Sequence, residues 1–237
     1  MPVELNSRDA SFEQDFTRLL HAKRETDEDV RETVRSVLAD VRERGDAALF
    51  DYTKKFDRVE LTPEAMRVSQ DEINLAIASV TPDILSALEL ARDRIIAYHE
   101  RQRPTDFEVT DDAGVRLGSR WTSIGAVGLY VPGGTASYPS SVLMNALPAR
   151  VAGVPRIAMV VPAPDGVLNP LVLAAARIAG VEEIYRIGGA QAIGALAFGT
   201  NSIPAVDKIV GPGNAWVAEA KRQVFGTVGI DMVAGPS

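Results

Sequence analysis

The sequence predicts an α/β protein: a parallel sheet domain preceded by a mostly helical part. Two observations carry this. Charge is spread unevenly, because of the 25 Lys and Arg and 32 Asp and Glu only 13 lie after Arg120. Beyond that point short apolar runs alternate with helical stretches through turns rich in Gly and Pro, which is how βαβ units read. The shift near residue 120 sets the expected division: 1–120 as one part, 121–237 as the other.

In the first part a polar lead is followed by an expected helix from about Asp27 to Arg44. Val30, Val34, Val37, Leu38 and Val41 fall on one face at helical spacing. Thr26 or Asp27 is the expected cap and Gly45 the expected stop. A short helix should cover Asp46 to Lys54. Thr81–Pro82 reads as a cap followed by proline at the first helical position. Ile84, Leu85, Leu88, Ala91 and Ile95 then continue a helix towards Arg103, which Pro104 ends. Phe107 to Trp121 reads as a hairpin turning at Asp111–Gly114.

In the second part strands are expected at Ile124–Val131, Arg156–Val161, Glu183–Ile187, Asp207–Val210 and Gly229–Val233. The helices between them are expected up to Arg150, near Pro170–Ala179, up to Phe198, and over Asn214–Phe225.

Composition excludes several functions. The formal net charge of -7 disfavours a general nucleic-acid role. With no cysteine, disulfides, thiolate metal sites and thiol nucleophiles are ruled out. Trp121–Ala149 carries no charge, but Pro132, Gly133, Gly134, Pro139 and Pro148 argue against a membrane span. With no leader apparent at Glu4 and beyond, a cytoplasmic location is expected.

Three strand-to-helix turns hold glycine pairs: Gly133–Gly134, Gly188–Gly189, and Gly211 with Gly213. Ligands of open α/β sheets sit at such turns, although for any single turn tight geometry explains glycine as well. No G-x-G-x-x-G and no Walker-type loop occurs. Polar residues cluster at the same turns: Tyr130, Gln191, Asn214, and Ser137, Ser140 and Ser141. Asn214 serves equally well as a helix cap or a ligand contact. His21 and His99 read as surface or helix-terminal groups, with no partner at metal spacing. Glu182, Glu183, Lys221 and Arg222 read as solvated charge.

Taken together, the motifs are specific. They run IGAVGLYVPGG from Ile124 to Gly134, then Tyr138–Ser141, Met144–Ala149, Ala152–Val154, IGGAQAIG from Ile187 to Gly194, VGPGN from Val210 to Asn214, Ala220–Lys221, and GIDMVAGPS from Gly229 to Ser237. With Gly45–Leu49 and Phe56–Asp57, this order closely resembles the histidinol dehydrogenase family. The resemblance implies NAD-dependent oxidation of L-histidinol through L-histidinal to L-histidine, the last step of histidine biosynthesis. It implies a zinc enzyme, an intertwined homodimer, and incomplete Rossmann-like domains, which accounts for the missing glycine fingerprint. By motif match it places Tyr130, Gln191 and Asn214 against NAD and Ser237 against histidinol. It makes residues 1–120 the helical start of a first α/β domain that is incomplete in this chain, and residues 121–237 the nucleotide-binding domain. The zinc ligands and the Glu–His acid/base pair are expected beyond Ser237, so this chain is expected to be an N-terminal portion, with no catalytic residue and no metal ligand of its own and no turnover alone. The alternative is a non-catalytic nucleotide-binding module. A misfolding fragment and a sugar or acyl-CoA enzyme are weaker rivals.

Overall fold

A computed structural model describes residues 5–133 and 138–233, with the backbone alone for 18–27. The first helix, α1 (Phe12–Arg44), starts well before the expected cap. No Gly or Pro interrupts residues 12–44, so nothing stops the helix from running back past Thr26 and Asp27, which lie inside it and do not cap it. Its stop is as read: Gly45 adopts φ 55° and its N–H reaches the Val41 carbonyl. The stripe Val34, Val37, Leu38 and Val41 is buried.

Four further helices follow: α2 (Asp46–Asp57), α3 (Pro63–Met66), α4 (Gln70–Ala78) and α5 (Pro82–Glu100). Pro82 follows the Thr81 cap as expected. Neither α3 nor α4 was expected, yet each is locally signalled. Thr62 Oγ1 accepts from the Ala65 N–H, and Ser69 with Glu72 forms a capping box. The hairpin pairs β1 (Phe107–Thr110) with β2 (Arg116–Ser119) around Asp111, whose carboxylate accepts from the Ala113 and Val115 N–H groups.

The second part supplies β3 (Ala126–Tyr130), α6 (Pro139–Val151), β4 (Arg156–Val160), a 3-10 turn at Pro164–Gly166, α7 (Pro170–Ile178), β5 (Glu183–Tyr185), α8 (Gly189–Phe198), β6 (Lys208–Val210), α9 (Ala215–Val224) and β7 (Gly229–Ile230). The five strands form one parallel sheet in the order β5-β4-β3-β6-β7. Counted from β3 this is 3-2-1-4-5, the dinucleotide-binding order without its sixth strand. The chain leaves β3 for one edge, then crosses back to place β6 on the other side of β3. The gap between β3 and β6 is therefore the switch point.

Alternation along the strands divides the core in two. Ala126, Tyr130, Ala158 and Val160 face one side with α1, α2, α8 and α9. Val127, Leu129, Ile157 and Met159 face the other with α4, α5, α6 and α7. Both faces are covered, so the central strands are apolar on both sides. Helices α1, α2, α4 and α5 thus pack on the outside of the two helical layers of the sheet, while the end of α3 bonds to the edge strand β5.

Two charges expected in solvent lie elsewhere. Lys221 is buried, 2% exposed, because α9 turns that face towards β6 and the segment after β7. Glu183 is half-buried beneath Arg156, which donates to both of its carboxylate oxygens.

Candidate functional site

The pleat aims Tyr130 at α8. Its ring is buried and its phenol oxygen accepts the Gly189 N–H at 3.2 Å. Burial pushes the phenol up to about 12, so at neutral pH it keeps its proton. With the oxygen already accepting, the O–H is the group it has left to offer.

Tyr130 forms one wall of a cleft of about 570 Å³. The cleft lies where β3, β4, β5 and β6 deliver their turns: Pro132 and Gly133, Pro162 and Pro164, Gly188 to Gln191, and Asn214. Three of the four residues singled out in the sequence, Tyr130, Gln191 and Asn214, meet here. The fourth, Ser237, lies outside the described residues, as do Gly134 and Ser137. Ser140 and Ser141 sit in the first turn of α6 and do not line the cleft. His99 lies in the last turn of α5 with its ring against Gln102, away from the cleft.

Gln191 sits in the first turn of α8, 2% exposed, and its amide makes no hydrogen bond among the described residues. A buried residue at a cleft wall whose amide has no partner among the described residues suits a ligand. Asn214 caps α9 through Oδ1, accepting from the Val217 N–H at 3.1 Å. It also lines the cleft, so its cap role does not exclude the contact role.

Two glycines are dictated by close approach. A Cβ on Gly188 would stand 2.4 Å from Pro162 Cβ. One on Gly211, at φ 110°, would stand 2.1 Å from the Tyr130 carbonyl oxygen. Gly211 is further fixed by a clamp that sequence reading missed. Its N–H donates to Asp231 at 2.9 Å, its carbonyl accepts from Lys221 at 3.0 Å, and Lys221 pairs with Asp231. This holds the β6–α9 turn and with it Asn214.

Sequence reading quoted Phe56 and Asp57 for the resemblance but gave no role to the wall formed by the end of α2 and the start of α9. Lys55, Phe56, Asp57 and Trp216 all line the cleft. Asp57 is 7% exposed, and its Oδ2 has no hydrogen-bond partner among the described residues. Burial raises its carboxyl above the ordinary carboxylate range, against a hydrogen bond from the Ala163 backbone and the Arg58 charge. An acid at the C-terminal end of a helix also opposes the helix dipole. That mismatch was the available signal.

Among the described residues no three His, Asp or Glu groups come together as a metal ion requires. No single described helix is long and apolar enough to cross a membrane.

Comparison with known proteins gives these features a family. The sequence profile for histidinol dehydrogenase matches residues 20–237. Over all 237 residues the chain is 65% identical to histidinol dehydrogenase of Rhizobium meliloti (strain 1021), covering 55% of that protein. It is 62% identical to that of Rhodospirillum rubrum, again covering 55%. The crystal structure of histidinol dehydrogenase from Elizabethkingia anophelis superposes with a TM-score of 0.84 at 40% identity, over 88% of this chain and 48% of that one. The chain thus spans about half the length of the curated relatives it matches, and by these matches it belongs to the histidinol dehydrogenase family.

Proposed function

We propose that the cleft holds NAD and that the chain serves the oxidation of L-histidinol to L-histidine by way of L-histidinal. The observation that carries this is the meeting of Tyr130, Gln191 and Asn214, from three different strand ends, in one glycine-lined cleft at the switch point. When bound, NAD would accept the hydride. The residues of this chain bind and orient it. The N-termini of α8 and α9 open on the cleft and suit a pyrophosphate. The Tyr130 O–H and the Gln191 amide supply directional hydrogen bonds from buried positions. Phe56 and Trp216 offer aromatic faces to a base.

The same reading takes in L-histidinol held in part by Ser237, a zinc ion, a homodimer and a cytoplasmic location. The described residues do not by themselves fit the zinc ion. It also takes residues 1–120 as the start of a first domain and 121–237 as the nucleotide domain. No histidine lines the cleft, and histidine is the base that the family resemblance calls on for the hydroxyl proton. This chain alone is therefore expected to bind without turning over. That same absence favours the second reading, a nucleotide-binding module without catalysis.

Titration of the chain with NAD, followed by Trp216 fluorescence, tests the first part. Saturable binding with a dissociation constant of about 1 mM or tighter is expected, weakened about tenfold in Gln191→Ala. Failure to saturate would sink the cleft assignment. NADH formation from L-histidinol by this chain alone would overturn the expectation of no turnover.

A further inference from the structure

We propose that Asp57 selects an unphosphorylated adenosine ribose: its Oδ2 accepts a hydrogen bond from a ribose hydroxyl, and its charge rejects a 2′-phosphate. The proposal rests on the dinucleotide reading above and names its specificity residue.

In dinucleotide-binding sheets the acid that holds the ribose lies one βα unit beyond the glycine-rich first turn, near the end of the second strand. Here the second strand is β4, and the residues after it are Val161, Pro162, Ala163 and Pro164. None of these can accept a hydroxyl through its side chain, and the acid that follows, Asp165, is bound by Arg58 and does not line the cleft. The acid comes instead from α2. Asp57 is the last residue of that helix and lines the cleft together with Pro162 and Pro164, which brings it to the turn that follows β4. Oδ2 is buried, has no partner among the described residues, and belongs to a residue lining the cleft. A buried carboxylate oxygen without a donor is costly unless a ligand supplies one.

The surrounding charges fit rejection of phosphate. Arg58, the neighbouring cation, is bound to Asp165 through two hydrogen bonds and is drawn away from the cleft. Lys55 is the cation that lines the cleft, with its ammonium 5.2 Å from the Phe56 ring centre. With the Asp57 charge in place a 2′-phosphate meets an anion. With that charge removed, Lys55 becomes the dominant nearby charge and the phosphate becomes acceptable.

The test is calorimetric titration of the chain with NAD and with NADP, in wild type, Asp57→Asn and Asp57→Ala, with thermal melting to show that each variant folds. Wild type should bind NAD at least about tenfold tighter than NADP. Both variants should bring that ratio to about threefold or less, the Asn variant chiefly by gaining NADP affinity and the Ala variant also by losing NAD affinity. If wild type binds NAD but has no preference, or if both variants keep the wild-type ratio, the role of Asp57 is overturned and the dinucleotide reading stands. If wild type binds neither dinucleotide, the cleft assignment itself falls and this inference with it.

Discussion

Arg58 grips Asp165 with two hydrogen bonds of 2.6 Å, and these are the two non-glycine residues with positive φ in the described chain, at 60° and 55°. Their meeting is geometric before it is electrostatic. Arg58 ends α2 in the left-handed region, which turns the chain away just after Asp57. Asp165 makes the matching turn after Pro164, which lines the cleft with Asp57. The pair is well exposed on both sides, so its charge adds little to stability. The backbone conformation matters more. Arg58→Gly, which suits positive φ, should unfold at nearly the wild-type urea midpoint, and Arg58→Val, which does not, at a clearly lower one. Equal midpoints for the two would show that this turn is not held left-handed.

Lys221 tests the other fixed turn. Its ammonium is buried between the Gly211 carbonyl and Asp231. Lys221→Met leaves Asp231 without its cation and the carbonyl without its donor, and should cost about 3 kcal/mol in urea unfolding. The double variant Lys221→Met/Asp231→Asn should lose less, since no unpaired charge remains. A single-variant loss below about 1 kcal/mol would contradict a clamp role.

That clamp marks the limit of what sequence could reveal. The strands, their helices and the glycine turns are local patterns, and they were legible: β3, β4 and β6 fall within a residue or two of their expected ends. The meeting of Tyr130, Gln191 and Asn214 was legible because each ends or follows a strand, and parallel strands bring those ends together. Lys221 was misread because its two partners lie ten residues away on either side, and helical spacing says nothing of which face meets them. Asp57 was quoted without a role because its place in a cleft depends on Pro162 and Pro164, more than a hundred residues on. The start of α1 was misplaced because capping residues inside a chain of good helix formers are not obliged to cap.

Tyr130 gives an alkaline signature. Its folded-state value is about 12 against an ordinary 10.0. Between these values the unfolded chain loses the proton while the folded chain keeps it, so the unfolded state binds fewer protons and stability falls as pH rises. The contribution is whole below about pH 10 and is lost towards pH 12. Tyr185 and Tyr52 are shifted the same way, so the comparison must be with Tyr130→Phe. That variant should fall less steeply across this window. At neutral pH it should be weaker by about 1–3 kcal/mol, because the Gly189 N–H loses its acceptor. Parallel pH profiles for the two proteins would show that the phenol is not held protonated by burial.

Asp57 gives the opposite lesson at acid pH. Its carboxyl is raised above the ordinary 3.8 by burial, so the folded chain holds this proton more tightly than the unfolded one. Stability therefore falls as pH rises from about 4 through the raised value, and above it the ionised side chain destabilises the ligand-free protein. Asp57→Asn keeps the size but removes the charge. It should melt above wild type at pH 7, and the gap should close as pH is lowered through about 4. Saturating NAD should narrow the gap at pH 7, since the ribose hydroxyl supplies the donor that Oδ2 lacks and stabilises wild type more than the variant. A variant that melts below wild type at pH 7 would mean that Asp57 is a structural acid, satisfied in the folded chain. The combination of a stabilised variant and a loss of NAD over NADP preference would mark a residue whose burial serves binding at the expense of the fold.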